Sequence, residues 1–139
     1  EVEHAWAYLP DLAQTFVHVA ARRDSLDRHT SLHFPGHTMT GTRLAEAVTD
    51  SALNLGVLRA GQRLRIAPLP WGWLRLGGLV VPMWRELAEL RYLWNEAHRL
   101  DGHALTQLIG TLPATPLGLA VETALTAQLS HNAHGVHAP

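Results

Sequence analysis

Chemistry in this chain has one apolar neighbourhood to start from. Trp71, Trp73 and Arg75 fall together in a stretch from Ile66 to Trp84 that is apolar except for the arginine. Indoles supply broad apolar contact and one N–H donor each, and a guanidinium at their side supplies a fixed charge, so the group reads as the wall of a substrate pocket or as core filling. Trp84 and Arg91 follow. At 100° per residue, Met83, Leu87, Leu90 and Trp94 form one stripe of a helix, with Arg91 at its edge beside Leu87 and Trp84. There Arg91 either binds a carboxylate or phosphate with both prongs of its guanidinium, or packs its stem and leaves its head in water. Trp71, Trp73, Arg75, Trp84 and Arg91 are therefore the candidate substrate-binding residues, expected beside a cavity with the 83–94 helix along one wall.

Other reactive residue types carry less. The ten histidines include His29, His33 and His37 at steps of four and His131, His134 and His137 at steps of three. Zinc needs three or four converging ligands with a second shell to orient them. The first set crosses a strand and a Pro35-Gly36 turn, and the second lies in a tail without periodicity, so no metal site is assigned. No Gly-x-Ser-x-Gly elbow occurs. Asp11 stands just after Pro10 at a helix start, where a carboxylate caps the free N–H groups of the first turn. No residue is assigned a catalytic or cofactor-binding role.

Absences narrow the chemistry further. All eleven basic residues are arginine, so phosphate-loop lysines, Schiff-base lysines and Tyr-x-x-x-Lys pairs are excluded from these 139 residues. Without cysteine there are no disulfides, thiolate sites or thiol nucleophiles, and the redox compartment is left open. Twelve acids nearly cancel the arginines, so no global basic field holds nucleic acid or an anionic membrane. The apolar stretch at 66–84 is broken by Pro68, Pro70, Pro82 and Gly77-Gly78, which argues against a spanning helix. The first residues are acidic and polar rather than a secretory signal, and a cytoplasmic location is expected. Hydrophobic residues at 47% against charged residues at 17% provide for a core.

The elements that position these residues alternate in type. His4 to Leu9 reads as a strand around Trp6 and Tyr8. Pro10-Asp11 opens a helix with Leu12, Phe16 and Val19 on one side and Arg22 and Arg23 in its last turn. Leu32 and Phe34 alternate in a short strand stopped by Pro35-Gly36. Thr40 caps a helix striped by Leu44, Val48, Ala52 and Leu55. Residues 62–67 alternate as a strand with Leu64 and Ile66 on one face. Pro68 to Pro82 is irregular, Met83 to Trp94 is a helix, Asp101 begins a short helix ending at Gly110, and Thr115-Pro116 starts the last. This pattern predicts an α/β chain, helix-rich with a few short strands.

Several of these junctions resemble one family. Trp6-Ala-Tyr-Leu-Pro-Asp11-Leu-Ala resembles the strand–Asp–helix junction of extended short-chain dehydrogenases/reductases, which include the NAD(P)-dependent sugar epimerases and dehydratases. Leu32-His-Phe-Pro-Gly36, Thr40-Gly-Thr-Arg-Leu-Ala-Glu46, Leu64-Arg-Ile-Ala-Pro-Leu-Pro70, the stretch from Pro82 to Trp94, and Thr115-Pro-Leu117 are similar to that family's later elements in the same order. The resemblance runs from about residue 4 to 128. It implies the C-terminal, substrate-side part of a Rossmann-type epimerase, using NAD or NADP in the full enzyme. The family's glycine-rich phosphate loop is absent, and its Tyr-x-x-x-Lys is absent too: Tyr8 is followed four residues on by Leu12, and Tyr92 by Glu96.

The resemblance thus implies residues 1–130 as a substrate-binding region, and residues 131–139, which lack periodicity, are expected to be a flexible tail. The chain alone is expected to be inactive and to bind neither NAD nor NADP tightly. Its implied partners are a small-molecule substrate and either an N-terminal cofactor-binding half or a second copy of the chain, with no nucleic acid and no membrane. A competing reading is a non-enzymatic α/β module that binds a protein partner through an apolar face. Leu9, Leu12, Phe16, Leu32, Phe34, Leu64 and Ile66 are expected to leave apolar surface bare.

Overall fold

A computed structural model describes residues 2–67, 70–78 and 80–135. The first strand, β1 (Glu3–Trp6), pairs antiparallel with β2 (His37–Thr40), Glu3 opposite Thr40 and Trp6 opposite His37. Between them runs α1 (Leu9–Ala20), with Pro10 in its first turn where a missing N–H costs nothing. A single 3₁₀ turn at Arg23–Ser25 leads into an irregular segment. The strand expected at Leu32–Phe34 is not formed, and the pairing segment begins only after Gly36. Gly36 has φ +56°, and a Cβ there would collide with the carbonyl oxygen of Trp6. The close backbone crossing therefore needs glycine, and the ladder starts just beyond it. Met39 then points inward and is buried.

Thr40 ends β2 and caps α2 (Gly41–Asn54), its Oγ1 accepting a 3.2 Å hydrogen bond from the Arg43 N–H. Residues 62–67 form no strand, because alternation alone supplies no ladder partner; Leu64 and Ile66 are left exposed. Within the stretch expected to be irregular lies a helix, α3 (Trp71–Gly77). The helix expected at 83–94 is two helices, α4 (Pro82–Glu89) and α5 (Tyr92–Asn95). At the break the bonds shorten to three-residue spacing, Leu93 N–H to Leu90 and Trp94 N–H to Arg91. Next comes α6 (His103–Ile109), with Asp101 accepting the His103 N–H at 2.9 Å. The last helix, α7 (Leu117–Gly135), continues through residues 131–135 of the expected tail; 136–139 lie outside the described residues.

The molecule is α/β and helix-rich with a two-stranded sheet. The main packing is α2 on α7, α1 on α6, α2 on β2, and α3 folded back on α4. Among the described residues Met39, Ala52, Leu105, Ile109 and Ala120 are the buried apolar ones. The loop after α5 ties to the outer side of β1: His98 N–H donates to Glu3 O at 3.0 Å, Arg99 reaches the Glu3 carboxylate at 2.9 Å, and the rings of His98 and His4 stack.

Candidate functional site

The first structural centre is the junction around Asp11. Both of its carboxylate oxygens are engaged: Oδ2 accepts the Thr115 backbone N–H at 2.7 Å, and Oδ1 accepts the Thr115 hydroxyl at 2.7 Å. Asp11 is buried, and so is Thr15 one turn on, whose hydroxyl returns to the Asp11 carbonyl at 2.8 Å. The expected cap is therefore corrected. Asp11 makes no bond to the first turn of its own helix and instead holds the segment that enters α7. Thr115, expected to be an accepting cap, is a donor to Asp11, and the Pro116 carbonyl accepts the first helical bond, from Ala120. An aspartate with both oxygens so engaged is a positioning group rather than a proton acceptor.

Beside this junction lies a small cleft of about 120 Å³ between Tyr8, Phe34, Pro35, His37, Leu112 and Pro113. His37 also borders a second cleft of about 350 Å³ with Glu3, Thr40, Arg43 and Leu117. A third, of about 540 Å³, separates Glu46, Asp50 and Leu53 on α2 from Arg63, Leu64 and Ile66. None of these three clefts was foreseen. The first two are assembled by segments far apart in the chain, and the third by α2 and the segment that follows it.

The candidate substrate residues lie elsewhere. Trp71, Trp73 and Arg75 are on α3, Trp84 is on α4, and Arg91 sits between α4 and α5. The α3–α4 hairpin closes by direct contact: a Cβ on Gly77 would occupy the place of the Trp84 ring, and Gly78 lies against the backbone of Arg85. Trp71 meets Trp94 edge to face, with ring centroids 5.8 Å apart at 67°. The fold thus groups Trp71 with Trp94, and Trp84 with the end of α3. Trp73, Arg75 and Arg91 project outward and are exposed.

No serine, threonine or tyrosine hydroxyl among the described residues is hydrogen-bonded to a histidine. No group of three or more His, Asp or Glu among them converges as metal ligands, and His137 lies outside them. Among the described residues no helix is long and apolar enough to cross a membrane. No protein-family model, curated protein or solved structure matches the chain.

Helix α1 completes the site's surroundings in an unusual way. Its inward face carries Asp11 and Thr15, at 5% and 4% exposure, flanked by half-buried Leu12 and Val19. Its outward face carries Leu9, Ala13, Phe16, Val17 and Ala20, with Leu9, Phe16 and Val17 at 74%, 67% and 68%. The spacing i, i+4, i+7, i+8, i+11 is that of a stripe made for burial. The helix thus covers one edge of its apolar stripe, at Leu12 and Val19, and leaves the rest of the stripe bare.

Proposed function

We propose that the chain is the substrate-side portion of an NAD(P)-dependent epimerase-like oxidoreductase, completed as a Rossmann-type protein by a cofactor-binding half that these residues do not include. The carrying observation is the bare apolar stripe of α1. The helix is anchored to the start of α7 through Asp11 and Thr115, and Leu9, Phe16 and Val17 are presented outward. A helix so held needs a second apolar layer over it. The family resemblance supplies one, since it places this strand–Asp–helix junction next to the main domain. The same resemblance runs through both residues of the anchoring bond, Asp11 of the first quoted motif and Thr115 of the last.

In this reading Trp71, Trp73, Arg75, Trp84 and Arg91 approach the substrate, and the redox step belongs to the absent half. NAD or NADP would be held there. A non-enzymatic module that takes a protein partner on the α1 stripe is the second reading, and the same exposed stripe favours it.

Nucleotide titration separates them. The chain alone is expected to show no micromolar binding of NADH or NADPH by calorimetry, whereas a longer product including the coding sequence before Glu1 is expected to bind one of them. Micromolar binding by the chain alone, or none by the longer product, contradicts the oxidoreductase reading.

A further inference from the structure

We infer that residues 63–67 form a strap that closes onto α2 and shuts the cleft between them. The root of the strap is fixed. Gln62 N–H donates to the Arg59 carbonyl at 3.0 Å, and Gln62 Oε1 accepts the Arg59 N–H at 2.7 Å. Gly61, at φ +83°, supplies the left-handed residue of that turn. Beyond the turn the chain is held by little. Among the described residues no backbone hydrogen bond engages residues 63–67, and all five are exposed. A segment with no ladder and no buried side chain opens and closes at small cost.

The two walls of the cleft match in pattern and in charge. Thr42, Ala45, Glu46, Thr49, Asp50 and Leu53 follow at i, i+3, i+4, i+7, i+8 and i+11, so α2 turns one continuous face to it. Opposite lie Arg63, Leu64 and Ile66, the two aliphatic side chains 44% and 59% exposed. On closing, Leu64 and Ile66 meet Ala45 and Leu53, and Arg63 meets Glu46 and Asp50. The charges are open to this. Arg63 and Asp50 take part in no ion pair among the described residues, and Glu46 reaches Arg43 only at 3.9 Å. On their other side Glu46 and Asp50 border a groove with Glu122 of α7, so three carboxylates there share Arg43, and a second guanidinium is favoured. The strap is tethered beside this face, so it meets the face at high effective concentration. Closure fills, with the chain's own side chains, a cleft whose 540 Å³ lies in the range of small-molecule sites. The inference uses none of the residues assigned to substrate and holds whether or not the oxidoreductase reading does.

The test exploits a chain without cysteine. Thr49→Cys with Leu64→Cys puts one thiol on each wall of the cleft, and oxidised glutathione joins them when the strap is closed. Leu64→Cys with Thr123→Cys, an exposed position on α7 outside the cleft, is the control. The cleft pair is expected to cross-link about tenfold faster than the control. Asp50→Asn is expected to slow it about twofold to fivefold, and so is salt at about 1 M. Ile66→Ser, on an exposed position that does not support the fold, is expected to slow it about threefold. A cleft pair no faster than the control overturns the inference, as does a faster pair that neither Asp50→Asn nor Ile66→Ser slows. Cross-linking between two chains rather than within one, read by mass on a non-reducing gel, assigns the face to a second copy and overturns it too.

Discussion

Both carboxylate oxygens of Asp11 are taken up by one residue, Thr115, 104 positions along the chain. Removing the carboxylate leaves a part-buried N–H and hydroxyl without their partner, and hydrogen bonds to a charged group are worth about 1.5–3 kcal/mol each. Asp11→Ala is therefore expected to cost about 3 kcal/mol, and Asp11→Asn, which keeps one acceptor oxygen, roughly half of that. Urea denaturation followed by circular dichroism measures both; equal midpoints for wild type and Asp11→Ala would remove the bond from the account. Gly36 gives a second test at the same scale. A left-handed residue with a Cβ costs about 1–2 kcal/mol, and here the Cβ also meets the Trp6 carbonyl. Gly36→Ala is expected to lower the thermal midpoint, whereas Gly41→Ala, where nothing lies within 4 Å of the added atom, is expected to leave it unchanged or raise it.

At the scale of elements, helices were far more legible than strands. Thr40 before a striped run, Asp101 before Leu105 and Ile109, and Pro10 at a first turn are local signals, and α2, α6 and α1 start where they point. Strand signals are local only in part. Leu32–Phe34 and residues 62–67 alternate well and pair with nothing, while His37–Thr40 alternates poorly and pairs with β1, because the Gly36 crossing sets where the ladder begins. The helix at 83–94 was legible as a stripe but not as two helices. Aromatic side chains lose rotamer freedom against the preceding turn, and three of them, Trp84, Tyr92 and Trp94, crowd that run. The candidate site was legible as a composition, indoles with arginines. The Trp84–Gly77 and Trp71–Trp94 contacts that group them were not, because they depend on how α3 folds back. Gly77→Ala is expected to displace the Trp84 ring and open the hairpin; a red shift of tryptophan emission reports it, and an unchanged spectrum contradicts the contact.

For the whole molecule, surface area tells the same story as α1. The accessible surface is 10788 Å², against about 7,100 Å² expected for a folded 15.3 kDa monomer. Among the described residues five apolar side chains are buried, a thin core. The chain is expected to associate on its own, and closed two-fold dimers are the commonest symmetric outcome. Light scattering at micromolar concentration checks this; a monodisperse 15.3 kDa particle with a cooperative thermal transition would mark a self-sufficient module. The central claim, that the outward face of α1 is covered by a missing apolar layer, is tested most directly by Phe16→Asp made in two contexts and followed by urea denaturation. In the isolated chain, diluted below the concentration at which it associates, Phe16 is 67% exposed, and the substitution is expected to change stability by no more than about 0.5 kcal/mol. Joined to the proposed cofactor-binding half, it would place a charge in an apolar interface and is expected to cost about 3–5 kcal/mol and to loosen NAD(P)H binding. The same small change in both contexts would contradict the account.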